Sequence, residues 1–586
     1  MPDLTTDHVA ALASAAGLPV SPDDLVEVTH RLNAFIEALA PLADGDLGVE
    51  PTPFSVAPIP FADGGPAATL ATDRDAGSAT SGRGRRDATP DTPERRAAAP
   101  EGRAAAPGGR AAAPGDLAFL GAARLAALVR DKQVSPVELT RLYLDRIDRL
   151  DGRLRAYITV CRDEALDAAN RAEAAVMRGE TLGPLHGVPV GVKDQFDTAG
   201  VRTTMGSRVF ADRVPTEDAG VITALRRGGA VLLGKHNLTE FAMGGTFAPP
   251  FGQPRNPWNV EHDPGSSSSG SGVATAAALC AAAVGEDTGG SVRTPASWCG
   301  VVGLRPTWGL VSRRGSFPLA WSMDTPGPIT QTVEDTALVL SVIAGHDPGD
   351  PLSSPRPVPD YRAALTGEVR GLRVGVVREL TSSRDTRDDV RQAVLEAVRV
   401  LERLGASVDE VSLPLATLGG AVFMALADSD GAGVHARLIR ARAADYDRST
   451  RRRLLTAALL PSGLYHVAAR ARAVMRRDVL AALARHDVLV APSGHRAAAT
   501  IAESTAAITS REDAAGRYFT RRSYGAPASL GGVPATAVPC GFTADGLPLS
   551  LQIIGRAFGE STVLRAAHAY EQATAWHDRR PPLDAV

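Results

Sequence analysis

The sequence predicts an α/β fold with a central mixed sheet covered by helices, preceded by a small helical module on a disordered linker. Three observations predict it. Short apolar runs alternate with segments of helical period through most of the chain. Residues 58–115 carry few large apolar side chains and are dominated by Pro, Gly, Ala, Ser, Arg and Asp. Ahead of them lie two amphipathic stretches too short to bury an apolar face alone. The chain therefore divides into a module at 1–57, a linker at 58–115 and a main domain at 116–586.

In the module, Thr6 is placed to cap a helix that ends at Gly17, with Pro19 just beyond. Ser21-Pro22-Asp23-Asp24 starts a second helix, with proline at the first helical position and acids in the first turn. Leu25, Val28, Leu32, Phe35, Leu39 and Leu42 fall on one face of it. In the linker, RAAAP recurs at 96–100, 103–107 and 110–114, a low-complexity repeat with nothing to bury. It serves as a tether that keeps the module close to the main domain.

The main domain opens with Leu117 to Val129, apolar at helical spacing. Ser135-Pro136-Val137-Glu138 reads as a capping box for a helix to about Leu150, and a further helix is predicted over 163–178. Val188 to Asp194 is a short apolar strand that carries Lys193 at its end. Such a lysine either snorkels to the surface or is buried for a purpose, because burying an ammonium is costly. A helix over 219–228 leads to a strand over 230–233. Later come a helix over 330–345, a strand over 372–377, a helix from 389 that stops at Gly405, and helices through 420–486. A strand follows at 488–491, then two strands within 534–554 turning at Asp545-Gly546.

The richest stretch is Asp263 to Thr307. Two glycine/serine clusters, GSSSSGSG from Gly265 and DTGGS from Asp287, bracket an alanine-rich segment. Residues 273–284 suit a closely packed buried helix. The clusters read either as linkers or as backbone nests whose N–H groups hold an anion. A phosphate loop is excluded, since neither ends in Gly-Lys-Ser/Thr, and no G-x-S-x-G elbow exists. In the nest reading Ser291 attacks a carbonyl while the nest holds the oxyanion.

The net charge of −3 favours neither nucleic acid nor membrane. The four cysteines form no C-x-x-C pair, so no zinc ribbon or disulfide framework is suggested, and no His/Cys cluster argues for a metal. With no signal-like N-terminus and no apolar run long enough to span a bilayer, a cytoplasmic address is expected. No cofactor motif appears. A small-molecule substrate, no direct nucleic-acid contact and a possible homodimer complete the expectations.

The stretch from Asp263 to Thr307 resembles the signature of the amidase signature family. HGVPVGVKDQFDTAGVRTTMGS, from His186, is similar to a second family segment, and residues 534–556 to its closing segment. The resemblance covers roughly 117–580 and is densest over about 185–345. It implies the amidase signature fold, and it implies Ser291 as nucleophile, Ser267 as proton relay and Lys193 as base. Backbone N–H groups of Thr288, Gly289, Gly290 and Ser291 would form the oxyanion hole, with Asp287, Arg293 and Ser268 supporting the site. His186, His236 and His262 lie in motif-rich loops but hold no fixed register with Ser291. The implied activity is hydrolysis of a carboxylic amide through an acyl-enzyme, without cofactor or metal. The alternative is the glutaminase A subunit of a tRNA-dependent amidotransferase, which uses the same triad. Residues 1–57 resemble the small C-type companion subunit of such enzymes.

Overall fold

The computed structural model describes residues 3–43, 117–180, 182–243 and 248–583. The linker expected at 58–115 lies outside these residues. Among them, one mixed sheet of 11 strands organises the main domain. Its strands are β1 (Tyr157–Val160), β2 (Pro189–Lys193), β3 (Val231–His236), β4 (Ala282–Glu286), β5 (Val302–Arg305), β6 (Pro326–Thr330), β7 (Arg373–Val377), β8 (Ser407–Val411), β9 (Val488–Pro492), β10 (Ala535–Phe542) and β11 (Pro548–Gly555). The spatial order is β1-β3-β2-β4-β6-β5-β10-β11-β9-β7-β8. β2 pairs in parallel with β3 and β4, and β7 with β8 and β9, while the remaining pairs are antiparallel.

Strands β2, β4, β5 and β6 are buried at every position. That is the burial expected of a sheet covered on both faces. It puts Lys193, at the end of β2, and Glu286, at the end of β4, into the interior side by side.

Several local expectations need correction. The segment 273–284 is not one helix. A helix spans Ser269–Ala276, the chain turns through Ala278 at φ +50°, and β4 follows. Pairing of Ala282, Ala283 and Val284 with Val190, Gly191 and Val192 of β2 overrides the helical preference of alanine. Ser135 caps its helix by accepting from the N–H groups of Val137 and Glu138, but Glu138 does not reach back. Ser135 instead hydrogen-bonds Glu173, and the helix runs on to Leu154. In the N-terminal module the cap is Thr5 rather than Thr6.

Helix α2 (Pro22–Ala43) packs on the main domain, and helix α1 (Thr6–Ala15) packs against α2. α2 lies against the helices Gly419–Arg442, Arg448–Ala458, Ser462–Arg485 and Arg511–Ala515. Val28, Leu32, Phe35, Leu39 and Leu42 are buried there, and Leu25 is half-buried. Each fully buried side chain of this size contributes about 1.5–3 kcal/mol. Phe35 meets Phe519 with ring centroids 5.0 Å apart.

The contact also has a polar centre. Asp24, with no exposed surface, accepts from Arg451 and Arg452 at 2.8–3.0 Å. Asp24→Ala would remove the contacts of Arg451 and Arg452 with this carboxylate while Arg452 keeps Glu27 and the Asp23 carbonyl, a loss of about 1.5–3 kcal/mol from docking. Hydrogen exchange across α2 should accelerate in that variant. Unchanged protection of α2 would show that the apolar face alone sets the docking.

Candidate active site

The two glycine/serine clusters meet under the ends of β2 and β4. Lys193 Nζ lies 2.9 Å from Ser267 Oγ and 3.4 Å from the carbonyl oxygen of Glu286. Lys193 is completely buried and Ser267 is 1% exposed, so the pair is closed to bulk water. The Ser268 N–H donates to the Ser291 carbonyl at 3.2 Å, which ties the first cluster to the second. The Ser268 hydroxyl bridges both backbone groups of Glu286, each at 3.3 Å. The peptide bond between Ser266 and Ser267 is cis.

Ser291 is half-buried and faces a pocket that it shares with Ser266, Met243, Leu319, Phe423 and Arg522. Two glycines before it are sterically required. A Cβ on Gly289 would sit 2.3 Å from the Phe423 ring, and Gly290 adopts φ +118°. The Asp287 carboxylate shapes the turn. It accepts from the N–H groups of Gly290, Val292 and Arg293 at 2.8–3.3 Å and from the Arg293 guanidinium at 2.9–3.0 Å. Arg305 of β5 approaches the same carboxylate at 3.2 Å and also donates to the Asp287 carbonyl. Burial acts to raise the Asp287 pKa, but Arg293 and Arg305 outweigh it and hold the carboxyl below the usual carboxylate range.

The expected oxyanion hole of four amides is altered by this turn. The Gly290 N–H points to Asp287 Oδ1 at 2.8 Å. That leaves Thr288, Gly289 and Ser291, whose N–H groups have no acceptor among the described residues.

Burial pulls the Lys193 pKa down, with Glu286 and then Asp324 acting against it. Sequence reasoning missed both of these acids. Glu286 Oε2 stands 3.6 Å from Lys193 Nζ. Burial, helped by Asp324, pushes the Glu286 carboxyl up to about 7, against the pull of Lys193. The one signal in the sequence was an acid closing an apolar run directly before Asp287. Asp324 carried no signal, because only the sheet brings it alongside. Arg521, which donates to Ser266 Oγ at 3.0 Å, and Arg522 also line the site, in a stretch for which the sequence predicts no element. The three histidines take other places. His236 is buried in β3 beside Ser271 and Tyr157, and burial brings it down to about 3. His186 contacts the Ala172 carbonyl, and His262 forms an isolated bridge with Thr500. All four cysteines are buried and free. Among the described residues, no helix is long and apolar enough to cross a membrane.

A serine on a glycine turn, set in a mixed sheet whose buried lysine holds a second serine, defines a class of amide-bond hydrolase. The family comparison agrees, with the amidase family model matching residues 138–564, and the chain belongs to that family. Members act on amide C–N bonds as hydrolases, and so does this chain. It is similar to the A subunit of glutamyl-tRNA(Gln) amidotransferase from Moorella thermoacetica, 42% identical over 492 residues, covering 80% of this chain and 99% of the relative. The crystal structure of the corresponding Thermotoga maritima protein superposes with a TM-score of 0.66 at 33% identity, covering 78% of this chain and 95% of that one. Peptide amidase from Stenotrophomonas maltophilia gives 0.68 at 34% identity, covering 79% and 98%.

Replacing Gly289 by alanine drives a methyl group into Phe423 and shifts the nest. Loss of a single oxyanion donor costs about 10²–10³ in kcat, and Gly289→Ala should fall in that range with little change in KM. Wild-type kcat in a folded Gly289→Ala enzyme would exclude this turn from the oxyanion site.

Proposed function

We propose that the chain hydrolyses a carboxylic amide to an acid and ammonia or an amine through Ser291, Ser267 and Lys193. The observation that carries this reading is the 2.9 Å contact of Lys193 Nζ with Ser267 Oγ, next to the Ser291 turn. A serine hydroxyl is a poor nucleophile at neutral pH without a base. Neutral Lys193 accepts the Ser267 proton as Ser267 accepts that of Ser291. Ser291 Oγ bonds to the amide carbon, and the N–H groups of Thr288, Gly289 and Ser291 take the developing oxyanion. The proton returns through Ser267 to the departing nitrogen, and water, activated along the same path, releases the acid.

The sequence comparisons support the alternative, a glutaminase of the amidotransferase type, better than a stand-alone amidase. The likeness to the amidotransferase proteins spans nearly the full length of those relatives. In this reading glutamine is the amide donor and a partner chain receives the ammonia. A stand-alone amidase is the second reading, supported by the peptide amidase likeness. The N-terminal helices would then be a companion module carried in the same chain. Glu27 and Arg31 of α2 line the cleft that reaches Ser266 and Ser269, so the module borders the way in.

Ser291→Ala should abolish turnover, and Lys193→Met should lower kcat by about 10²–10⁴, the usual worth of a positioned base. Substantial turnover by folded Ser291→Ala would contradict the assignment. Ammonia release from glutamine, measured beside a panel of aliphatic and aromatic amides, separates the two readings. Glutamine turnover supports the glutaminase reading. Hydrolysis of other amides with glutamine left intact supports the stand-alone enzyme.

A further inference from the structure

We propose that Glu286 is a positioning residue for the base, a buried carboxylic acid that keeps its own proton and so lets Lys193 stand as a free amine against Ser267. The proposal rests on the reading of Lys193 as the base. It is independent of which amide is cleaved.

Thr288 Oγ1 lies 3.0 Å from Glu286 Oε1 and 2.8 Å from Asp324 Oδ1. A hydroxyl has a single proton to donate. Both contacts are made only if one carboxyl is itself the donor, which requires it to be protonated. The surroundings decide which. Asp324 accepts backbone N–H groups from Leu319 and Ala320 at 2.9–3.0 Å on both of its oxygens, the setting of a charged carboxylate. Glu286 receives one backbone N–H, from Thr325 at 3.2 Å, and its Oε2 has no hydrogen-bond partner among the described residues. The chain of donors therefore runs from Glu286 to the Thr288 oxygen and from the Thr288 hydroxyl to Asp324.

The charges agree with this. The groups that face Glu286 are Lys193 from β2, Asp287 and Thr288 from the turn after β4, Arg305 from β5 and Asp324 from the loop before β6, with Arg293 on the far side of Asp287. Asp287 and Asp324 carry two negative charges, and Arg293 and Arg305 carry two positive ones. The cluster is neutral without an ammonium. A buried ion pair of Lys193 and Glu286 would add two charges to a water-free interior, whereas an amine beside a carboxylic acid adds none. Burial pushes both acids up, and the backbone amides settle the proton on Glu286 rather than Asp324.

During turnover Lys193 Nζ gains the Ser267 proton while Ser267 Oγ gains that of Ser291. Glu286 keeps its proton throughout and presents an unshared oxygen to the new ammonium at 3.6 Å. Proton count and charge balance without a co-reactant.

Infrared difference spectroscopy near neutral pH, without substrate, reads the proton directly. Wild type minus Glu286→Gln should show the carbonyl band of a protonated acid, and Lys193→Met should gain no such band over wild type. Glu286→Gln, isosteric with the neutral acid, should leave the acid limb of the kcat/KM profile in place. Absence of the band, its appearance only on loss of Lys193, or an acid limb moved down by about one pH unit would mean an ionised Glu286 and overturn the proposal. Where Glu286→Gln fails to fold, the Lys193→Met spectrum decides alone. Full activity of Lys193→Met would instead retire the base assignment, whatever the spectra show.

Discussion

The Asp287 carboxylate is the interaction on which the site depends. It gathers three backbone N–H groups of the turn, the Arg293 guanidinium and Arg305 from β5, two strands away in the sheet. A carboxylate in the interior is stable only with such a set of partners. Because those partners belong to the turn, to the helix after it and to β5, the charge fixes where the strand–turn–helix carrying Ser291 sits in the sheet. Thr288, Gly289 and Ser291, whose N–H groups have no acceptor among the described residues, line the pocket beside it. Asp287 thus acts on the fold and on the geometry of the nest together.

The second constraint is the depth of Lys193. Its strand is buried at every position, so the ammonium form lacks water and the amine is favoured. Ser267 meets it through the first serine cluster, held by the Ser268 contacts with Glu286 and Ser291. Two loops far apart in the chain become one site because β2 and β4 are parallel neighbours whose ends coincide. This is the usual economy of α/β sheets, in which functional groups collect where adjacent parallel strands end.

The sequence made much of this legible where a residue carries its own local rule. Ser135 before Pro136 announced a helix start, Gly405 a helix stop, and the glycines of DTGGS a turn with no room for side chains. The fold class and the hairpin of β10 and β11 followed from alternation and a turn at Asp545-Gly546. What stayed hidden depends on tertiary pairing. Alanines at 282 and 283 are strand residues only because β2 lies beside them, and β1 and β8 are short edge strands with little pattern of their own. Asp324 and Arg305 join the site through sheet order, which no local signal encodes. The Gly290 amide was expected to bind the oxyanion, and the Asp287 side chain takes it instead.

The central claim is that Ser291 forms an acyl-enzyme with a proton path through Ser267 to Lys193. The most direct test is rapid quench during turnover of an activated amide, followed by peptide mass spectrometry. The account predicts an acyl adduct on Ser291 alone, and none on that residue in Lys193→Met over the same interval. An adduct on another side chain, or steady product release with Ser291 unmodified, would contradict it.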